Sequence, residues 1–296
     1  MTPSAKRDAV EWLTTDREIA ERRACDLTST ARSTVRYRPG PRHDDAALAA
    51  SMREIAYRYP RYGCPRVTFE LRREGYKDNH KRIHRIWKAE GLSLKRKRPK
   101  RRRYGPRGEV MRKAEYKDHV WSYDFIEDRT EYGDKVRILN VLDEYTREWL
   151  AVRIERNLPA TRVIEVLEWL MLTRGVPAYI RSDNGPEFIA KAVQDWLKKA
   201  GVQTIFITPG SPWENPYIES FHDKLRGECL NLNLFRGLRD AQQIIPDWRD
   251  YYNRRRPHSS LGYKTPEEFG RGAARPLRAT PSAPLQPKDK EVILSL

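Results

Sequence analysis

Three carboxylates in this chain have residue types and surroundings suited to holding divalent cations. Asp124 lies in the segment WSYDF, Asp183 in IRSDNGPEF and Glu219 in PWENPYIESF, with 35 residues between the last two. Acidic side chains drawn from separate segments can together hold a pair of divalent cations, which stabilise both the attacking and the leaving oxygen of a phosphodiester. The three carboxylates therefore predict a phosphoryl-transfer site.

The net charge of +17 is concentrated ahead of these carboxylates. Residues 1–118 carry 32 Lys and Arg against 16 Asp and Glu, whereas residues 119–296 carry 26 against 25. This imbalance favours an N-terminal part that binds a polyanion and a C-terminal part that acts on it. No apolar run approaches the roughly 20 residues of a bilayer span, and the first residues lack a signal-peptide core. We therefore expect a soluble, cytoplasmic, nucleoid-associated protein with its three cysteines reduced.

Cap and turn signals organise the first part of the chain. Residues 1–44 predict a helical segment, and residues 45–94 predict a helix-turn-helix whose last helix begins after the cap Asn79 and ends at Gly91. An ordinary helical hairpin with a solvated basic face is the alternative. In the last helix the apolar residues recur at helical spacing and are expected to face the core, which leaves the other side of the helix exposed. The polar residues of that exposed side are candidate DNA contacts: His80, Lys81, Arg82, Arg85 and Lys88.

Two further basic segments are candidates for binding phosphates. Residues 95–117 predict a linker that opens on KRKRPKRRR, and such a run cannot fold on itself. It either lies along DNA or is a solvated tether, and its basic residues are Lys95, Arg96, Lys97, Arg98, Lys100, Arg101, Arg102 and Arg103. Arg256 lies in a later basic cluster, residues 254–258, that predicts either a phosphate-binding loop or a surface turn.

Residues 118–270 predict an α/β domain. Three β-branched and aromatic runs, HVWSYDFIE, KVRILNVLDEY and EWLAVRI, predict an antiparallel meander. Helices and strands then alternate: a helix over 160–172, a strand over 178–183, a helix over 186–199, a strand over 202–208 and a helix containing Glu219. We therefore expect a mixed sheet with helices packed on it. Residues 271–296 have the composition of a disordered tail.

These elements would position the carboxylates. Asp124 lies inside the first strand, where a lone ionised carboxylate is costly without a cation or a partner. Asp183 lies where a strand ends, before the turn Asn-Gly-Pro. Asn215 is expected to cap the last helix, so that Glu219 falls near its first turn and Arg226 lies two turns further on the same side. Each acid alone could be structural, but jointly they favour a site.

Two neighbouring acids are rivals for a role in this site. Asp143 and Glu144 lie at the end of the second predicted strand and precede Thr146 and Arg147. Their position is typical of turn residues, and a site role is the alternative.

The motifs resemble a known family. WSYDF, RSDNGPEF, NPYIESFHDKLRGECLN and DYYNRRRPHSSLGYKTPEEF are similar to the integrase core of DDE transposases from bacterial insertion sequences. The similarity is closest to the second-frame product of the family that reads its transposase from two overlapping frames. YGCPRVTFELRREGYKDNHKRIHRIWKAEGL resembles the helix-turn-helix that precedes that core. Together these segments cover about residues 50–270.

The resemblance implies an RNase H-like fold and a polynucleotidyl transferase activity. Asp124, Asp183 and Glu219 correspond to the catalytic triad, which binds two Mg²⁺ ions, and Mn²⁺ is expected to substitute. Arg226 corresponds to a basic residue that contacts DNA. Water would attack at the element end, and the freed 3′-hydroxyl would then attack target DNA. The partners implied are transposon ends, target DNA and further copies of the chain.

The same resemblance leaves two alternatives open. The active enzyme of this family is usually a frameshift fusion with an upstream DNA-binding protein, so this chain could instead be a non-catalytic DNA-binding accessory subunit. A general nuclease of the same fold is the other alternative.

The basic run yields a first prediction. If residues 95–103 bind phosphates, replacing their eight Lys and Arg by Gln should flatten the decline of duplex affinity with salt, because each neutralised phosphate contact removes about one unit from the slope of log affinity against log salt. Fluorescence anisotropy with a labelled duplex across a salt series measures this slope. An unchanged slope would show that the run is a solvated tether.

Overall fold

The computed structural model describes residues 2–37, 45–94, 113–182, 191–206 and 215–273. The chain forms two compact units, residues 1–52 and residues 53–296. In the first unit, three short helices surround a small core formed by Val10, Ala24 and Cys25. These helices are α1 (Pro3–Thr15), α2 (Glu21–Leu27) and α3 (Arg32–Arg36), and the next helix, α4 (Asp45–Arg58), contains the boundary between the units.

Helices α5 (Cys64–Arg73) and α6 (His80–Ala89) form the predicted helix-turn-helix. Gly75 ends the first helix with a φ of 95°, a conformation that glycine adopts without steric cost. Asn79 caps the second helix as expected, because its side-chain oxygen accepts a hydrogen bond from the Lys81 amide at 2.9 Å. The two helices pack together through apolar residues that are all buried: Val67, Leu71, Ile83, Ile86 and Trp87.

A five-stranded mixed sheet forms the centre of the second unit. In space the strands follow the order β3-β2-β1-β4-β5. The first three pair antiparallel, whereas β4 pairs parallel to β1 and β5 parallel to β4. The predicted fold class is confirmed. The strands are β1 (Val120–Arg129), β2 (Lys135–Asp143), β3 (Trp149–Glu155), β4 (Tyr179–Ser182) and β5 (Gln203–Phe206).

Helices cover both faces of this sheet. Strand residues alternate between the faces, so Trp121 and Tyr123 of β1 pack in one core while Ile126 packs in the other. The first core is closed by α7 (Ala160–Arg174) and α8 (Lys191–Lys199), and the second by α9 (Pro216–Glu228) and α10 (Leu238–Arg254). A short helix, α11 (Pro266–Gly272), ends the described chain. No helix in the described ranges is long and apolar enough to cross a bilayer.

Side chains of α10 cover the open edge of β3, the outermost strand of the meander. Asn253 bonds both backbone groups of Trp149, accepting from the amide at 2.9 Å and donating to the carbonyl at 3.0 Å. Arg249 donates to the same carbonyl at 2.8 Å, and Gln242 donates to the Ile154 carbonyl at 2.9 Å. An edge strand otherwise offers unpaired backbone groups to other chains, so this helix both packs on the sheet and closes its edge.

Within the second unit, the segment around the start of α5 packs against α10. The Tyr59 ring stacks on Tyr62 at 4.7 Å between centroids and on Tyr251 at 5.5 Å. The hydroxyls of Tyr62 and Tyr251 are 2.5 Å apart. Such stacked aromatic contacts add to the apolar burial that they accompany, so they hold this segment on the C-terminal helices.

One carboxylate at the end of α9 joins three parts of this unit. Glu228, whose side chain is 11% exposed, accepts hydrogen bonds at 2.6 Å from both Nε and Nη2 of Arg256, in the segment after α10. Nη1 of Arg66 on α5 lies 3.4 Å from the same carboxylate. A bidentate pair of this kind has a fixed geometry, so Glu228 ties α9 to both neighbours.

A second buried ion pair crosses the sheet. Nε of Arg181 on β4 lies 2.7 Å from Oε1 of Glu144, and the two side chains are 2% and 0% exposed. The Ser122 hydroxyl donates to the same oxygen. The pair therefore ties the turn after β2 to the strand that precedes Asp183. Burying such charges is tolerable only while both partners are present.

This pair generates a stability prediction. Glu144→Gln removes the charge that Arg181 contacts at 2.7 Å in this buried pair, so the free energy of unfolding should fall by about 3–5 kcal/mol. The matched control is Glu155→Gln, which breaks the more exposed Arg153–Glu155 pair and should cost about 1 kcal/mol or less. Urea unfolding followed by circular dichroism measures both. Equal losses in the two variants would contradict the special role of the buried pair.

Candidate active site

Asp124 lies in the middle of β1 on the face covered by α9. Its Cα pairs with that of Asn140 on β2, and the side chain is partly buried, at 23% exposure. Oδ1 accepts a hydrogen bond from the Phe125 amide at 2.7 Å. Successive side chains of a strand point to opposite faces of the sheet. Tyr123 and Phe125 lie in the core under α7 and α8, so Asp124 lies on the face covered by α9.

Glu219 lies in the first turn of α9. Pro216 occupies the start of the helix, as predicted. Asn215 is at the N-cap position, but the prediction that its side chain caps the helix is wrong, because the side chain makes no capping hydrogen bond. The helix is fixed instead by its buried apolar side, Ile218 and Phe221, which packs in the second core. Glu219 itself is exposed beside that apolar side.

His222, one turn after Glu219, connects α9 to the sheet. Its Nδ1 lies 3.6 Å from Oδ2 of Asp124, and its Nε2 lies 3.1 Å from Nδ2 of Asn140. Desolvation by burial, and then the positive charge of Arg226, lower the pKa of His222 to about 4, so the imidazole is neutral at pH 7. Because the Asn140 amide donates to Nε2, the ring proton is on Nδ1 and faces the carboxylate.

The sequence gives no signal for the roles of Asn140 and His222. Asn140 lies inside an apolar strand and His222 inside an amphipathic helix, and 81 residues separate them. Only the β1–β2 register and the seating of α9 bring both to Asp124.

Asp183 lies outside the described residues, as do the basic residues 95–103. The strand before it, β4, runs parallel to β1 with Arg181 opposite Ser122. The described chain therefore leaves β4 in the direction in which β1 runs from Ser122 toward Asp124. Within the described ranges, no group of three His, Cys, Asp or Glu side chains is placed to hold a metal ion.

The rival acids Asp143 and Glu144 are engaged in structural contacts. Asp143 is fully buried and accepts a hydrogen bond from the Thr146 hydroxyl at 2.6 Å. Burial raises the pKa of Asp143 to about 6, although the Thr146 bond opposes this shift. Glu144 is occupied by Arg181 and Ser122. Both acids therefore organise the turn after β2, as the turn interpretation predicts.

Arg226 lies seven residues after Glu219 on α9 and is exposed. Its Nη2 donates to the Glu127 carbonyl of β1 at 3.1 Å, which holds the side chain over the strand that carries Asp124. Residues seven apart on a helix lie on one side two turns apart, so the cation shares the side of Glu219. The arrangement is compatible with the predicted contact to DNA.

The other predicted DNA contacts differ in exposure. Arg82 is only partly exposed, because Asp78 holds it through a contact of 2.5 Å. Arg256 is inside the protein with its guanidinium on Glu228, so in this conformation DNA does not reach it. The basic cluster had suggested a surface location for Arg256. That expectation is wrong because its partner, Glu228, is a largely buried acid on α9. The remaining predicted contacts on α6 are exposed: His80, Lys81, Arg85 and Lys88.

Family models match three parts of the chain. A model of an HTH-like domain matches residues 42–102. Two models of the integrase core domain match residues 114–212 and 200–266. The matched regions contain the two-helix segment α5–α6 and the sheet with its helices, and together they indicate that DNA is the partner of this chain.

Two insertion-element proteins of unassigned role are similar over most of their length. One, from IS407 of Burkholderia multivorans, is 38% identical over 90% of this chain and 94% of that protein. The other, from IS476 of Xanthomonas euvesicatoria, is 36% identical over 91% of this chain and 78% of that protein. The transposase of IS904 from Lactococcus lactis is 27% identical over 71% of this chain and 87% of that protein.

Solved integrase structures are more distant. A simian T-cell lymphotropic virus intasome has a TM-score of 0.49 and 14% identity, covering 79% of this chain and 78% of that one. The catalytic core of HTLV-2 integrase in complex with magnesium has a TM-score of 0.39 and 18% identity, covering 53% and 98%. The family assignment rests on the sequence relatives. With 36% and 38% identity to insertion-element proteins and integrase core matches across its sheet, the chain belongs to the DDE (integrase-core) transposases of bacterial insertion sequences.

Proposed function

We propose that this chain cuts DNA at the ends of its insertion sequence and joins those ends to target DNA, in a reaction that depends on divalent metal ions. The observation that carries this proposal is the contact between His222 and Asp124. Residues three apart on a helix are neighbours on its surface, so this contact brings Glu219 to the same face of the sheet as Asp124.

The strand register supports a place for the third acid. Ser122 lies opposite Arg181 in the parallel pair of β1 and β4. The described part of β4 ends at Ser182, on the strand beside β1. We propose that the next residue, Asp183, completes the triad that the sequence predicts.

The donor set fits the ions expected for this chemistry. Carboxylate oxygens are the ligands that Mg²⁺ and Mn²⁺ prefer, and Asp124 presents its carboxylate at partial exposure beside a neutral imidazole. We propose that Asp124, Asp183 and Glu219 hold two Mg²⁺ ions, for which Mn²⁺ would substitute. When bound, such a pair stabilises the attacking and leaving oxygens of the phosphodiester.

Other residues of the chain would orient the acids and the substrate. His222 and Asn140 fix the position of the Asp124 carboxylate, as partners of metal ligands commonly do. Arg226 offers a cation for the DNA backbone two turns from Glu219 on the same side of α9. The exposed cations of α6 and the run 95–103 would hold the duplex. Action on two paired ends implies several copies of the chain, with an upstream DNA-binding protein as a further partner.

Replacing the three acids tests the proposed reaction. In Asp124→Asn, Asp183→Asn and Glu219→Gln, Mg²⁺-dependent nicking and strand transfer of labelled element ends should fall by about 10²- to 10³-fold or more, because each change removes a charge that stabilises the transition state through the ions. Gel assays measure the products, and duplex binding in Ca²⁺ should persist. Glu165→Gln, on the exposed side of α7 across the sheet, is the control and should stay active.

Three outcomes of the same assay would redirect the proposal. Full activity of Asp183→Asn would discard the assignment of the triad. Binding without chemistry in the unaltered chain, with chemistry restored by the upstream protein, would identify the accessory subunit. Degradation of random duplex without regard to ends would identify a general nuclease.

His222 yields a separate prediction. His222→Ala removes one of the groups that position the Asp124 carboxylate, so activity should fall by about 10- to 100-fold and more Mg²⁺ should be needed for half-maximal activity. His222→Gln retains groups that can bond Asp124 and Asn140 and should recover part of the loss. A Mg²⁺ titration and a thermal unfolding curve are measured for each variant. A lower unfolding temperature with an unshifted Mg²⁺ titration would mean that His222 only stabilises the fold.

A further inference from the structure

Lys224, in the middle of α9, is surrounded by cations from three other segments. Its side chain is partly buried, and its ammonium donates to the carbonyl and the hydroxyl of Ser220 at 2.8 and 2.7 Å. The charges that act on it come from Arg66 on α5, Arg147 in the turn between β2 and β3, and Arg256 after α10.

Glu228 lies one turn after Lys224 on α9 and partly offsets these charges. Both its oxygens already bond Arg256, and Nη1 of Arg66 lies 3.4 Å from one of them. Desolvation by burial, followed by the charges of Arg256 and Arg66, lowers the pKa of Lys224 to about 8. The neighbourhood thus carries more positive charge than its own acids balance, a condition that an incoming anion relieves.

The position of Lys224 on α9 indicates what the anion is. Glu219 lies five residues before it, and Glu228, the contact to α5, lies four residues after it. A cation at this point lies between the candidate acids and the helix-turn-helix segment. A DNA backbone that runs from one to the other offers phosphates, which form strong charge-assisted bonds with Lys and Arg.

We propose that Lys224, together with Arg66, forms a binding site for a backbone phosphate of DNA, between the helix-turn-helix segment and the candidate active site. The inference rests on the proposed function in so far as DNA is the substrate. It adds a contact that fixes the path of the DNA along α9, separate from Arg226 and from the exposed face of α6.

Binding of a labelled duplex by the full chain tests this site, in EDTA so that no chemistry occurs. Lys224→Gln should weaken binding about 3- to 10-fold near 0.1 M salt and lower the slope of log affinity against log salt by about one unit. Lys199→Gln removes a similar charge from the exposed end of α8, which packs on the other face of the sheet, and should change neither quantity. Thermal unfolding confirms that the variants are folded.

The pH dependence gives a second readout. As the pH rises from 7 to 9 through the pKa of Lys224, its ammonium loses the proton and the affinity of the unaltered chain should fall by up to about tenfold. Lys224→Arg keeps its charge in this range, so it should bind as well at pH 7 and lose that decline.

Unaltered affinity and slope in folded Lys224→Gln would overturn the inference while leaving DNA binding by the chain intact. Equal pH dependence in the unaltered chain and Lys224→Arg would also overturn it. The two proposals can also fail separately. If Lys224→Gln loses affinity and salt slope as expected but the unaltered chain shows no strand transfer, the phosphate site is supported and the proposed reaction is not.

Discussion

The seating of α9 on the sheet is the constraint on which the rest of the candidate site depends. Ile218, Phe221 and Leu225 are fully buried in the core beneath the helix. Because they fix the rotation of the helix about its own axis, they also fix the adjoining side, with Glu219 in the first turn and His222 over Asp124. If this apolar contact were lost, Glu219 and His222 would no longer be held near Asp124, although all three residues would still be present.

The far end of the same helix is fixed by charge rather than by apolar burial. Glu228 bonds Arg256 and lies near Arg66, so α9 is held at one end by the sheet and at the other by α5. One rigid helix thereby spans the distance between the candidate chemistry and the helix-turn-helix segment.

Local signals in the sequence were sufficient for the elements. The cap at Asn79, the proline at the start of α9 and the alternating apolar strands all lie within a few residues of the features that they mark. The position of Asp124 in a strand and that of Glu219 in the first turn of a helix were predicted in the same way, because such positions follow from periodicity. The three-strand meander and the later alternation of helices and strands were enough for the fold class, a mixed sheet with helices packed on it.

Contacts between distant segments escaped prediction for a physical reason. The partners Asn140 and His222, or Glu144 and Arg181, meet through strand register and helix packing, which a single sequence does not encode locally. Arg256 shows the same limit, since three successive arginines are typical of a surface loop and its acid lies 28 residues upstream. The Asn215 side chain is another case, because composition identifies a cap position but not the bond.

The hydrogen bonds from α10 to the backbone of β3 have a consequence for truncated forms of this protein. The first integrase-core match ends at residue 212, ahead of α10. A fragment cut there would keep every strand yet lose Gln242, Arg249 and Asn253, and with them the groups that occupy the backbone of Trp149 and Ile154. Exposed strand edges recruit other chains, so such a fragment, which also lacks α9 and Glu219, would self-associate through its sheet.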